Sequence, residues 1–357
     1  MSVTADLVDR ADRLLEQVPG GSATIGAALF VLTFLWLLSP IGVVVPGIAF
    51  VFLETGTLFM LYAMVLLGLN LQFGDTGIIN FGPVLFFALG AYGMAMLTAE
   101  QPSFGLGLGL PWWLGVVVGI VLAIAVGAVL GLSSLRLRAD YLAITTLAGA
   151  EIFNRTVSTF QFPFGADKGI NNIPTLIDPL VGNTGTKSVG TFLLFTGLLL
   201  IVYEGFRRLS QSPYGRVLRA IQADEDATRS LGKPTFRYKM QAFIYGAAVA
   251  GLAGALLTIW NGATSPNFLT IDVTVLIWIG MMIGGPGNIR AVVTGLAMIM
   301  FFELLVAALN RPVTTNLPVD SIEFTAIRTG LIGLFLVLVV RYRPAGIWGD
   351  EEKMEVF

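Results

Sequence analysis

Ten apolar runs, each near the twenty or so residues that cross a bilayer as a helix, constrain this chain more than any other feature. They lie at 23–39, 55–73, 76–98, 112–135, 140–160, 191–206, 239–260, 271–286, 291–310 and 322–340. Lipid offers no partner to a free backbone N–H or C=O, so a spanning segment satisfies its own hydrogen bonds as a helix or closes into a barrel, whose strands are about half this length. The expected fold is therefore all-α, a polytopic membrane bundle of about 8–10 transmembrane helices, some of them discontinuous. Composition agrees: 55% of the 357 residues are hydrophobic and 12% are charged, where soluble domains carry roughly 25%. The apolar stretch Ile41 to Phe52 contains Pro46 and Gly47 and precedes Glu54. It reads as a short re-entrant or tilted piece rather than a further span.

Charge placement orients the bundle. With an even count and both termini cytoplasmic, sixteen of the 21 Lys and Arg residues fall inside, while Lys168, Lys187 and Arg311 fall outside and Arg155 and Arg328 lie within spans. This is the asymmetry of the positive-inside rule and implies a multi-pass protein of the cell membrane. Three regions follow: a cytoplasmic N-terminal segment at 1–22, the transmembrane domain at 23–342 with a polar cytoplasmic loop at 207–238, and a cytoplasmic tail at 343–357. In the first region Leu7, Ala11, Leu14 and Val18 recur at helical spacing among Asp6, Asp9, Asp12 and Glu16. Without a basic n-region it reads as a surface amphipathic helix or a frayed tail, not a signal peptide.

The chain has no His and no Cys, which excludes imidazole or thiolate metal sites and Ser-His or Cys-His nucleophilic pairs. No metal, cofactor or catalytic residue is expected, and the chain does not read as an enzyme. Gly182 to Ser188, GNTGTKS, has the wrong spacing for a phosphate-binding loop. Energy for any pumping would come from a partner or an ion gradient.

Four features carry the functional reading. Ser212 and Pro213 form a helix start and Gly232, Lys233 and Pro234 a stop, with Val217, Leu218, Ile221 and Leu231 as an apolar stripe between them. Such a helix suits a partner's groove, or is an ordinary solvated loop helix. Gly74 to Pro83, GDTGIINFGP, breaks two apolar runs, as a discontinuous helix lining a solute path or as a plain cytoplasmic turn. Gly284 to Arg290, GGPGNIR, is a second glycine-rich break in the other half. Glu151 and Arg155 stand i, i+4 within one span, where they neutralise each other or line a polar path. Asp272, Glu303 and Arg328 share that ambiguity. Gly246, Ala250, Gly251 and Gly254 would let helices approach closely.

Taken in order, LNLQFGDTGIINFGPVLFFALGAY at 69–92, LRLRADYLAITTL at 135–147, SPYGRVLRAIQADEDATRSLGKPTFRYKMQAFIYGAAVAGLAGAL at 212–256, GGPGNIRAVVTG at 284–295 and RPAGIWG at 343–349 resemble the LivM-type permease subunits of ABC importers for branched-chain amino acids. Closely similar urea and amide permeases belong to the same group. The resemblance spans about Leu66 to Gly349 and implies a type II-like ABC importer permease. It implies that Gly215, Arg216, Arg219, Ala220, Ile221, Asp224, Leu231 and Gly232 form the coupling helix seated in an ATPase subunit. The implied partners are a second homologous permease, two P-loop ATPase subunits and an extracellular or periplasmic solute-binding protein.

A translocation path is expected along Gly77, Asn80, Phe81, Gly82, Glu151, Arg155, Gly284 and Gly285. Pro83, Ala139, Ala291 and Asn154 depart from residues common in that family, as does FGADKGINNIP at 164–174, and these changes weaken any transfer of leucine specificity. Two other readings stand beside the amino-acid permease: a urea or short-amide permease, and an ion-coupled secondary transporter using Glu151, Asp272 and Glu303.

Overall fold

The computed structural model describes residues 46–135, 139–175 and 184–316, with 330, 333, 337 and 341 singly as helical positions. The expected span at 23–39, the segment at 1–22, the tail at 343–357 and most of 322–340 lie outside the described residues. Among the described residues every long element is a helix. In chain order these are α1 (Pro46–Leu69), α2 (Pro83–Thr98), α3 (Trp112–Ser134), α4 (Ala139–Thr159), a four-residue α5 (Gln161–Phe164), α6 (Thr184–Gln211), α7 (Pro213–Ala223), α8 (Glu225–Ser230), α9 (Thr235–Asn261), α10 (Ile271–Gly284) and α11 (Ile289–Asn316). The stretches Leu53–Gly74, Trp112–Ser134, Thr235–Asn261 and Pro266–Gly284 are long and apolar enough to cross a membrane.

Two expectations change. Ile41 to Phe52 is not a separate piece from Pro46 onward: α1 runs unbroken through Gly47 and Glu54 to Leu69. Glu54 faces outward. The span expected at 76–98 begins only at Pro83, because residues 75–82 are irregular.

Helices α2, α3 and α9 pack as one tight unit because glycines line their mutual crossings. A Cβ on Gly90 would strike the Gly251 backbone, one on Gly119 would come within 2.7 Å of the Gly90 carbonyl oxygen, and one on Gly254 would strike the Phe87 carbonyl. Helix backbones in contact gain dispersion over a long line, which matters where lipid removes the hydrophobic drive between helices. Around this unit α1 packs on α9, α6 and α11, and α10 pairs with α11. Leu61, Leu66, Phe86, Phe87 and Phe243 are at most 1% exposed in the shared core.

Candidate functional site: a polar hub beneath the polar-loop helices

Helix α1 does not end in an ordinary cap. Its last turn widens into a π-helical stretch, Asn70–Gly74, in which the Asp75 N–H reaches the Asn70 carbonyl at 3.0 Å. π-turns are rare and recur at functional sites, and here the turn swings two amides and the following carboxylate into the protein. Asn70, Gln72, Asp75 and Asn80 are each at most 2% exposed. Buried groups of this kind are tolerated only when hydrogen-bonded, and each of the four is.

Asn70 Oδ1 accepts from the Gly287 N–H at 2.9 Å. Gln72 Nε2 donates to the Phe243 carbonyl at 3.0 Å, and Gln72 Oε1 accepts from Asn80 Nδ2 at 2.8 Å. Asn80 Oδ1 in turn accepts from the Gly82 N–H at 2.8 Å, and the Asn80 carbonyl from Trp278 Nε1 at 3.0 Å. The Phe81 N–H donates to Thr146 Oγ1 at 3.0 Å, and the Phe81 ring stacks on Trp278 with centroids 4.7 Å apart. One hub therefore joins α1, α4, α9, α10 and the α10–α11 turn. The two glycine-rich breaks meet in it: a Cβ on Gly74 would strike the Gly287 amide, so glycine is what allows the contact.

The polar loop at 207–238 closes one end of the hub. Ser212 caps α7 and Pro213 occupies its first turn, as the sequence suggests. The helix does not run through to Gly232, however. Asp224 is extended, with φ −159° and ψ 106°, and its carboxylate accepts from the Ala227 N–H at 2.9 Å to start α8. Gly232 then ends α8 in the left-handed region, with φ +76°. A side-chain oxygen that caps a helix competes with continued helix through the same residue, and here the cap wins.

This break sorts the expected coupling residues into two groups. Gly215 and Ile221 are buried against the bundle beside Leu218 of the apolar stripe, and Arg219 Nη1 reaches inward to Asp75 Oδ1 at 3.4 Å and to the Ser210 carbonyl at 3.0 Å. Arg216, Ala220, Asp224, Leu231 and Gly232 face outward, with Leu231 82% exposed. Most of the apolar stripe is thus used by the chain itself. What α7 and α8 offer a partner is small, polar and capped by one exposed leucine.

Helix α8 is pinned to α9 through Glu225, which accepts from Thr235 Oγ1 at 3.0 Å, Lys239 Nζ at 2.8 Å and Arg229 Nη2 at 3.0 Å. Burial pushes this carboxyl up, but the hydrogen bond and charge of Lys239, with help from Thr235 and Arg229, outweigh it and hold it below the usual glutamate range. A depressed folded-state value means that the contact adds stability above the unfolded value, about 4.3, and loses it as pH falls through the folded one. Protection of the α8 amides, taken relative to the intrinsic exchange rate at each pH, is expected to fall as pH drops below the unfolded glutamate value, and a Glu225→Gln variant should show no such step. Equal pH profiles for the two proteins would refute the assignment.

The remaining expected residues lie at the hub's edge or away from it. Gly77 packs on Gln222 of α7, and Gly82 sits against the Thr146 backbone. Gly284 packs on the Ala291 backbone and Gly285 ends α10 at φ +106°. Glu151 and Arg155 pair with each other at 2.7 Å on the open face of α4, with 46% and 78% of their side chains exposed. Ile144 and Ile152 share that face, 63% and 66% exposed. Asn70, Gln72, Thr146, Ser210 and Trp278 are hub members that the sequence reading passes over. The signal that could have found the first two is a pair of amides inside an otherwise apolar run, LGLNLQF.

At the opposite end Ile170 and Thr264 form an antiparallel bridge, the Glu100 N–H bonds the Asn172 carbonyl at 3.0 Å, and Asn154 Nδ2 bonds the Leu269 carbonyl at 3.0 Å. A cleft of about 440 Å³ opens there between Glu100, Gln101, Leu108 and Asn172.

Residues 51–340 match the family model described as branched-chain amino acid transport system / permease component. The high-affinity branched-chain amino acid transport system permease protein LivM of Escherichia coli K12 is 32% identical over 315 residues, covering 82% of this chain and 69% of that protein. Its LivH counterpart from the same organism is 25% identical over 315 residues, covering 84% and 95%. No solved structure matches the chain.

Proposed function

The chain belongs to the permease component family of branched-chain amino acid transport systems, and from that premise we propose that it is one of two permease chains in an ATP-driven importer of leucine, isoleucine and valine. The family match across residues 51–340 carries this reading. Two ATPase subunits bind the cytoplasmic face of α7 and α8, and a solute-binding protein meets the loops at the Ile170–Thr264 end. Charge supports that orientation: Arg207, Arg208, Arg216, Arg219 and Arg229 gather at the end carrying α7 and α8.

Alternating access follows from the architecture. A closely packed core of α2, α3 and α9 resists deformation, so ATP-driven closure of the partners moves helices as rigid pieces between inward-open and outward-open states. The outward residues Arg216, Ala220, Asp224, Leu231 and Gly232 make the contact; Gly215, Arg219 and Ile221 hold the helix to its own bundle.

A mild-detergent pull-down of the tagged chain from its native membrane tests the reading. The eluate is expected to contain a second permease and nucleotide-binding subunits, and to hydrolyse ATP. Leu231→Asp, placed at the most exposed apolar residue of the loop, is expected to reduce ATPase recovery about tenfold or more, as removal of a central apolar anchor does at other interfaces. A homo-oligomer without ATPase activity would overturn the importer reading.

A further inference from the structure

Asp75, 1% exposed, is gripped from the cytoplasmic side by two residues of other elements. Ser210 Oγ, at the end of α6, donates to Asp75 Oδ2 at 2.8 Å, and Arg219 Nη1, from the middle of α7, lies 3.4 Å from Asp75 Oδ1. The same guanidinium nitrogen bonds the Ser210 carbonyl and hydroxyl, at 3.0 and 3.3 Å. Asp75 is thus joined in one network to two residues more than 130 positions along the chain. One turn along α7, Gln222 Nε2 donates to the Phe73 carbonyl at 3.2 Å, so the helix holds the π-turn both within it, at Phe73, and just after it, at Asp75.

A carboxylate taken out of water is expensive and is kept only when paired and hydrogen-bonded. Apolar residues would dock α7 on α1 at least as stably. What the polar set adds is fixed geometry, because a buried network has few alternative arrangements. The network continues into the hub. From the π-turn, Asn70 bonds Gly287, Gln72 bonds Phe243, and Asn80 bonds both Gln72 and Trp278. Through the backbone of the π-turn these hydrogen bonds connect α7 with α9, α10 and the α10–α11 turn.

We infer that Asp75 is a positioning residue of the transport cycle: with Ser210 and Arg219 it latches α7 to the π-helical end of α1, so that the cytoplasmic helix and the polar hub travel as one body. The inference rests on the importer reading, since it assigns the latch to the transmission of ATPase closure. It adds the route by which that closure enters the membrane helices. Motion passes first to the break in α1 and from there to the two glycine-rich turns joined at Gly74 and Gly287.

The test uses the whole complex, purified from native membrane and reconstituted in vesicles with its solute-binding protein, with labelled leucine as the probe. Asp75→Asn removes the charge while keeping an acceptor for Ser210. It is expected to lower leucine imported per ATP hydrolysed about tenfold, the scale on which residues remote from a ligand alter coupling, while ATPase subunits stay bound. Arg219→Lys, which keeps the positive charge, is expected to retain more of the coupling than Arg219→Gln. Unchanged coupling in Asp75→Asn would overturn the latch. So would loss of uptake in proportion to loss of bound ATPase subunits, because Asp75 would then only build the docking surface.

A second measurement does not depend on how Asp75 variants fold. The chain has no cysteine, and a Cβ placed on Gly77 would lie 3.9 Å from the Gln222 Cβ, within the range a disulfide needs. Gly77 stands at φ +74°, where cysteine is strained, so the reduced double variant is the reference. In a Gly77→Cys/Gln222→Cys variant, oxidation is expected to leave leucine uptake within about twofold of the reduced protein, the scale of a few tenths of a kcal/mol. Uptake that is present when reduced and lost on oxidation would show that α7 slides over the π-turn, and would overturn the latch with the importer reading intact. A wild-type complex that contains no ATPase would overturn both.

Discussion

Replacing Gly90 by leucine is expected to abolish recovery of the folded chain. The first added atom, Cβ, would fall on the Gly251 carbonyl of α9, with the Gly251 Cα only 2.7 Å away. Both obstacles are helix backbone, which cannot rotate aside as a side chain can. Overpacking that side chains can absorb costs about 1–3 kcal/mol; here α2 must separate from α9. The contacts at Gly119 and Gly254 would open together with it. Total stabilities of about 5–15 kcal/mol leave little room for that loss.

The matched control is Gly197→Leu. No atom lies within 4 Å of the Cβ that would be built at Gly197 on α6, so equal bulk added there should leave yield and thermal midpoint close to wild type. The readout is the fraction of detergent-extracted protein that elutes as a single species. A Gly90→Leu protein recovered at wild-type yield would show that α2, α3 and α9 do not meet through backbone contact.

These two glycines also show where the sequence speaks and where it is silent. Nothing in the local pattern separates Gly90 from Gly197, because each stands in an apolar run that reads simply as helix. The all-α membrane bundle was legible, since length and hydropathy alone decide which segments can satisfy their backbone in lipid. Local chemistry at Ser212, Pro213 and Gly232 was legible for the same reason: a cap acts within one helical turn. The break at Asp224 was harder, because Asp in a helical pattern serves equally as an interior residue or as a cap. The hub was not legible as a hub. Its members come from positions 70 to 287, and only the fold brings Gln72 to Phe243 or Asp75 to Ser210. Arg219 illustrates the consequence, for on an isolated amphipathic helix its charge belongs to the solvated face, whereas in the bundle it turns inward to a carboxylate buried on another element.

The second large effect is expected at Gln72. Gly246 leaves the space in which this amide lies, since a Cβ there would strike the Gln72 side chain. From that pocket Gln72 serves α9 and the irregular loop at once, through the Phe243 carbonyl and Asn80 Nδ2. Leucine is close in size, so Gln72→Leu tests the hydrogen bonds with little change in packing. Two magnitudes compete. Hydrogen bonds between membrane helices average only about 0.6 kcal/mol, because polar groups in the unfolded reference state also find partners. Leaving a buried donor unpaired costs about 1–3 kcal/mol. The second should prevail, because Asn80 is 1% exposed and Trp278 and the Gly82 N–H fix its loop so that it cannot turn to another acceptor. Gln72→Leu should therefore destabilise the protein by about 2 kcal/mol, measured by equilibrium unfolding in mixed detergent. Asn80→Leu should cost at least as much, because it also uncaps Gly82. The double variant should cost clearly less than the two together, since the shared bond can be lost only once. Strict additivity, or a Gln72→Leu effect below about 0.5 kcal/mol, would mean that the amides sit side by side without acting as one network.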